Sequence, residues 1–122
     1  MMDPNELAAR YVALWNEPDP ERRRREVAAL WAGNGGIFTA TTEALGHEAL
    51  AARVAGSHDS WVHDRGMVFR SLENARGHHN VVRFNWDMAP AAGGDPVSTG
   101  FDFLVLDNHG RIVNDYQFIE AA

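Results

Sequence analysis

One aspartate stands in one of the most apolar stretches of the chain. Asp102 lies within Gly100-Phe101-Asp102-Phe103-Leu104-Val105-Leu106. A carboxylate in such a run must be paired, face a pocket or keep its proton, because burying a bare charge is prohibitive. Tyr11 is the second residue able to do chemistry. Its hydroxyl can donate to a ligand carbonyl, or simply reach backbone or solvent from a core position. Trp15, Trp31, Trp61 and Trp86 are many for 122 residues. Together with Phe84 they suit a pocket for a flat or bulky apolar ligand, although each also suits ordinary core packing. His47, His58 and His63 fall on or just after one predicted helix. They form neither an HExxH pattern nor a facial triad, so no metal site is expected.

Absences narrow the chemistry further. The chain has no cysteine and no lysine; all 11 basic residues are arginine. Thiolate catalysis, disulfides, a lysine Schiff base and a P-loop lysine are therefore excluded. A formal net charge of −6 disfavours nucleic acid as a partner. The run Arg22-Arg23-Arg24-Arg25 wraps around a helix and reads as a solvated surface. No apolar run reaches membrane-spanning length and the first residues lack signal-peptide character, so a cytoplasmic location is expected.

The elements that must position these residues are legible from caps, periodicity and turns. At 122 residues, a single domain, 1–122, is expected. Asp3-Pro4 and Asp19-Pro20 each pair an N-cap with a proline at the first helical position. Leu7, Tyr11, Leu14 and Trp15 give the first helix one apolar face, and Val27, Leu30 and Trp31 do so for the second. Gly33-Asn34-Gly35-Gly36 is expected to break that helix. Residues 37–42 read as a short strand, and Gly46 opens a third helix carrying His47, Leu50, Val54, His58 and Trp61. Four longer strands follow, at 67–72, 81–89, 97–106 and 111–119, separated by turn-forming segments. Helices first and strands afterwards imply an α+β fold with helices on one sheet face.

Alternation sorts the side chains further. Val82, Phe84, Trp86 and Met88 share one face, opposite Arg83 and Asp87, which read as surface or interface groups. Phe101, Phe103 and Val105 lie opposite Asp102. A sheet covered on one side would expose these rings on the other, so a homodimer through the outer sheet face is expected. In the last strand Ile112, Tyr116 and Phe118 compete with Val113 and Ile119 for the inward side. The facing of Asp115 and Gln117 stays open.

The order of elements, from about Leu7 to Ile119, resembles the nuclear transport factor 2-like superfamily, in particular its SnoaL-like members. The resemblance rests on Tyr11-Val12-Ala13-Leu14-Trp15-Asn16, Ala29-Leu30-Trp31-Ala32, Gly46-His47-Glu48-Ala49-Leu50, Val81-Val82-Arg83-Phe84-Asn85-Trp86 and Asp107-Asn108-His109-Gly110-Arg111-Ile112. It implies a cone-shaped, curved, mainly antiparallel sheet wrapped by three N-terminal helices, with a pocket between them and commonly a dimer. Within that superfamily, Arg10-Tyr11-Val12-Ala13 and Gly100-Phe101-Asp102-Phe103 are similar to the ketosteroid isomerase segments that carry its tyrosine and its protonated acid. That likeness implies Tyr11 and a protonated Asp102 as an oxyanion-binding pair. The isomerase's base would fall at Thr39, which cannot accept a proton near neutral pH; His58 would then be the substitute base if it points inward. Arg83-Phe84-Asn85 resembles one segment of the epoxide hydrolases' Asp-Arg-Asp set, with asparagine where a carboxylate is needed.

The expected function is binding of a small apolar molecule, with Tyr11 and Asp102 at the polar end of the pocket and Trp15, Trp31, Thr39, Trp61, Phe84 and Trp86 lining it. Catalysis would be cofactor-free proton transfer on a carbonyl-bearing apolar substrate, of isomerase or cyclase type. A non-catalytic dimer that binds a ligand or a protein is the alternative.

Overall fold

The computed structural model describes residues 2–122. Two capped helices open the chain. Helix α1 (Pro4–Asn16) starts where the Asp3 carboxylate accepts the N–H groups of Asn5 (3.0 Å) and Glu6 (3.3 Å). Helix α2 (Pro20–Leu30) starts where Asp19 accepts from Glu21 N–H at 3.0 Å. Each cap satisfies donors that the first helical turn leaves orphaned. Side chains then pin α1 to later elements. Asn16 pairs with the Phe69 backbone in both directions (2.8 and 2.9 Å), and Asn5 Oδ1 accepts from Ala75 N–H at 2.9 Å. The apolar side of α1, including Leu7, Tyr11, Leu14 and Trp15, is consequently held against the sheet and buried.

The remaining elements are β1 (Trp31–Phe38), β2 (Glu43–Leu45), α3 (His47–Ser57), β3 (Met67–Ser71), β4 (Arg76–His78), β5 (Val81–Pro90), β6 (Ser98–Leu106) and β7 (Ile112–Ala121). A π-helical turn, His58–His63, follows α3 directly. The sheet runs β2-β1-β7-β6-β5-β3, with β4 also paired to β5. Only β1 against β7 is parallel; the other pairs are antiparallel. The helices lie on one side of this curved sheet, so the α+β cone architecture stands as expected.

The expected break after the second helix is corrected. Helix α2 ends at Leu30, Trp31 is already extended (φ −100°, ψ 143°), and β1 runs straight through Gly33-Asn34-Gly35-Gly36. The glycines serve close packing here rather than a turn. A Cβ on Gly35 would lie 2.6 Å from the Ile112 carbonyl oxygen, and one on Gly36 would lie 2.7 Å from Leu45 Cδ2. Glycine within a strand commonly marks such a close approach. The run Arg22–Arg25 is also not uniformly solvated: Arg23 is buried, and its Nη1 donates to the Glu17 carbonyl at 2.7 Å.

Gly100 has a more local role. It sits directly opposite Trp86 in the β5–β6 register, and the indole lies across the space its side chain would fill. A Cβ there would overlap the indole carbons far inside van der Waals contact. Gly100→Ala should therefore displace Trp86 and cost about 1–3 kcal/mol as an overpacked core. Urea unfolding, followed alongside tryptophan emission, checks this; an unchanged midpoint with unchanged emission would refute it.

Candidate functional site

Strand alternation aims Asp102 inward, between Phe101 and Phe103 on the outer side. It is fully buried. Directly opposite it in β7 is Gln117, and directly opposite Leu104 is Asp115, also fully buried. From α1, the Tyr11 hydroxyl oxygen drops between the two carboxyl groups, 2.9 Å from Asp102 Oδ2 and 2.5 Å from Asp115 Oδ2. Trp86 Nε1 donates to Asp102 Oδ1 at 2.7 Å. Gln117 Nε2 donates more weakly to both Asp102 oxygens, at 3.4 and 3.3 Å.

Counting protons assigns the charges. A phenol has one proton, so it cannot donate to two carboxylates. Asp102 collects donors at both oxygens. Asp115 meets only Tyr11, and its Oδ1 has no partner despite complete burial. The donor count is satisfied when Asp115 keeps its proton and donates it to the Tyr11 oxygen, while Tyr11 donates to Asp102. Burial, followed by the Asp102 charge, pushes the Asp115 carboxyl well above the usual carboxylate range. Burial and then the same two acids push the Tyr11 phenol well above its ordinary value, so it stays protonated. A neutral acid beside the phenol was expected at Asp102; the carboxyl that burial raises is that of Asp115.

This cluster backs a cavity of about 840 Å³. The volume lies in the range of about 300–1,000 Å³ typical of small-molecule sites. Tyr11, Trp86 and Gln117 form part of its wall, with Trp15, Trp61, Phe69 and Met88 supplying apolar surface and Arg53 of α3 a charge. The gap in the aromatic shell that admits Tyr11 is tight. Phe84 meets its ring edge-on with centroids 5.2 Å apart, and Trp31 lies at 5.6 Å.

Among the residues expected to line the pocket, Trp15, Trp61 and Trp86 do so and Trp31, Phe84 and Thr39 do not. Asp102, expected at its polar end, is fully buried and off the wall, and His58, the expected substitute base, is buried and off it too. Trp31 and Phe84 are wholly buried in the core under Tyr11 and are not part of the cavity wall. Thr39 closes the β1–β2 hairpin, its hydroxyl 2.7 Å from that of Thr42. His58 is buried in the π-helical turn off the cavity wall, with Nδ1 unpartnered and 3.8 Å from Asp59. It does not face a ligand there. His47 Nε2 bonds the Trp31 carbonyl at 2.9 Å, tying α3 to β1. His78, His79 and His109 are exposed. Arg83 and Asn85 spend their side chains on Asn74 and Gly100 outside the cavity, so they complete no Asp-Arg-Asp set. Asp87 is gripped from the outer side by Arg70 at 2.7 and 2.9 Å. Among the described residues no cluster of metal-ligating side chains forms and no helix is long and apolar enough to cross a membrane.

Sequence reasoning missed Arg53 altogether, since a lone arginine on a helix carries no signal. It named Asp115 and Gln117 without a facing. Their inward position depends on a bulge in β7, where Val105 pairs with Asn114 but Leu106 pairs with Ile112. Val113 is the extra residue, and it shifts everything after it by one.

The helix-wrapped cone with a pocket against its concave face defines a nuclear transport factor 2-like protein. No protein-family model matches the chain, and no curated protein matches it in sequence. Solved structures do. A "putative isomerase of the SnoaL-like family" from Agrobacterium tumefaciens strain C58 is 32% identical, covering 95% of this chain and 96% of that one, with a TM-score of 0.85. A SnoaL-like protein of unknown function from Burkholderia thailandensis shares the fold at 9% identity, with 99% of both chains covered and a TM-score of 0.73. A "putative polyketide cyclase" from Sinorhizobium meliloti does so at 12% identity, with 93% and 94% covered and a TM-score of 0.69. The chain belongs to the SnoaL-like family.

The two acids should respond oppositely to neutralisation. Unfolded, Asp115 ionises near its usual value of about 3.9. Above that pH the native state holds a proton that the unfolded chain has released, so stability falls as pH rises towards the raised native pKa. Asp115→Asn removes this penalty; its stability relative to wild type should climb as pH rises above about 4. Asp102→Asn should instead cost about 1–3 kcal/mol at neutral pH, because it leaves buried donors mismatched. Denaturation midpoints across pH check the assignment, and the opposite ranking would overturn it.

Proposed function

We propose that the protein binds a small, largely apolar, carbonyl-bearing molecule in the cavity, with its oxygen at the polar end formed by Tyr11 and Gln117. The observation that carries this reading is the apolar cavity itself, whose wall ends in a cluster of polar groups. The aromatic shell of Trp15, Trp61, Phe69 and Trp86 fits a flat ligand body, and only a few polar groups remain to orient it.

A catalytic reading is favoured by one further observation. Tyr11 lies at the cavity wall with the neutral acid Asp115 behind it. A ligand carbonyl that takes the Tyr11 hydrogen bond from Asp102 is polarised by a phenol that Asp115 polarises in turn. This stabilises a developing oxyanion and acidifies the carbon beside the carbonyl, whose proton leaves to water. The result is cofactor-free proton transfer of isomerase or cyclase type, the class suggested for the Agrobacterium and Sinorhizobium proteins. A thermal-shift screen over apolar ketones, lactones and polyketide-like aromatics tests binding. Ligand at a hundred times its Kd adds about 2.7 kcal/mol, which is several degrees in Tm. Ala52→Trp, from an exposed helix position on the cavity wall, should abolish the shift without harming the fold. For enolisable hits, deuterium uptake from heavy water should be at least about tenfold slower in Tyr11→Phe, within the usual range for a lost proton-transfer group. Binding without enzyme-dependent exchange would leave a non-catalytic binding module.

The same reading includes a homodimer through the outer sheet face. Its support is the exposure of Tyr116 and Phe118 beside half-buried Phe38, Phe101 and Phe103. These rings form one apolar surface, with Phe38 stacked on Tyr116 and Phe101 against Phe118. Sedimentation should show a dimer that Phe118→Lys dissociates; a wild-type monomer at micromolar concentration would end this proposal.

A further inference from the structure

Among the described residues Arg53 is the one cation on the cavity wall, and its surroundings are unusual for an arginine. Its Nη2 donates to Gln117 Oε1 at 3.2 Å, and Nη1 makes only a long 3.5 Å contact with Thr42 Oγ1. Nε is buried without a partner. Among the described residues, no carboxylate lies within 4.0 Å of the guanidinium, although four other arginine–carboxylate contacts do form. A guanidinium carries five N–H groups arranged to match a carboxylate fork. Most of that capacity is unused beside an apolar space.

The contact to Gln117 also sets the orientation of the amide. With Oε1 towards Arg53, Nε2 must face Asp102, as observed. A flipped amide would bring its NH₂ against the guanidinium and its oxygen against an anion. Gln117 therefore separates the cation from the buried anion and prevents direct pairing. The Arg53 charge still reaches the cluster, where it is the last of the influences on Asp115 and acts to lower its pKa. That weak effect leaves the guanidinium without a full counter-charge. The other charged side chains on the cavity wall, Glu43 and Glu120, are exposed. They oppose an anion at the rim and do not compete for the Arg53 fork.

We infer that the ligand carries an anionic oxygen group, a carboxylate on an aromatic or otherwise flat apolar body, and that Arg53 anchors it. This deepens the small-molecule reading and rests on it. Arg53 is then the residue that selects by charge among apolar ligands, because Tyr11 and Gln117 offer neutral hydrogen bonds and the aromatic wall discriminates by shape.

Three matched probes test the assignment: a naphthalene carboxylate, its methyl ester and the corresponding methyl ketone. Their affinities are read from quenching of tryptophan emission. The carboxylate should bind the wild type at least about tenfold more tightly than the ester; tenfold corresponds to 1.4 kcal/mol. Arg53→Gln should remove that preference, with the ketone as the reference for any general loss of binding. Arg53→Lys, which keeps the charge but loses the fork, should retain part of it and guards against misfolding of the glutamine variant. If the wild type binds the ketone but does not prefer the carboxylate, the anion assignment is wrong and the cavity reading survives. The same holds if the preference persists in Arg53→Gln and that variant is merely less stable, since Arg53 would then be only a counter-charge for the acids. If none of the three probes binds, the cavity reading fails and the anion assignment fails with it.

Discussion

Two carboxyl groups share a dry interior around one phenol, and that interior can hold only one net negative charge. An unpaired ionised carboxylate would be too costly to bury. The fold meets the constraint by dividing labour. Trp86, Tyr11 and Gln117 are directed at Asp102, and burial drives the Asp115 carboxyl towards its neutral form. The cluster draws on four elements: α1, β5, β6 and β7 must all be in register for it to close. The polar cluster therefore acts as a test of the whole sheet, since a slip of one residue in any strand would strand a charge.

That demand explains features that otherwise look incidental. Gly100 lacks a side chain so that the Trp86 indole can lie across β6 and reach Asp102. Asn16 and Asn5 clamp α1 at its two ends, which fixes the height of Tyr11 over the sheet. Phe84 and Trp31 hold the phenol ring from beneath and from the side. Such close support suits a site that must keep its geometry while a ligand enters. Structures at 9–12% identity share the fold, and a fold by itself does not define a site.

Much of the framework was legible in the linear chain. Asp3-Pro4 and Asp19-Pro20 mark the helix starts because the chemistry of a cap is local. The apolar faces and the inward aim of Asp102 follow from period alone. Other residues were misplaced for reasons that are not local. Gly33–Gly36 read as a breaker, yet the run lies in a strand whose neighbours approach too closely for any side chain. Trp31 and Phe84 read as lining, but an aromatic on an inward face touches either the cavity or the core beneath it according to where α1 comes to rest. His58 pointed to the correct side of its helix, but the π-helical turn carries it off the cavity wall.

The sequence by itself determined the class of fold, the face of β6 that carries Asp102 and the absence of thiol or amine chemistry. It did so because caps, alternation and composition are properties of neighbours along the chain. Only the tertiary structure decided which acid is neutral and what faces the ligand. Continuing the Leu106–Ile112 pairing without a bulge would set Asp102 opposite Tyr116 and turn Asp115 outward beside Phe103. The single extra residue, Val113, instead brings Asp115 and Gln117 inside. A bulge depends on how two strands and their neighbours close together, and its effect is a reversal of facing along the rest of the strand. The neutral acid, the glutamine and the link to Arg53 all lie beyond that point.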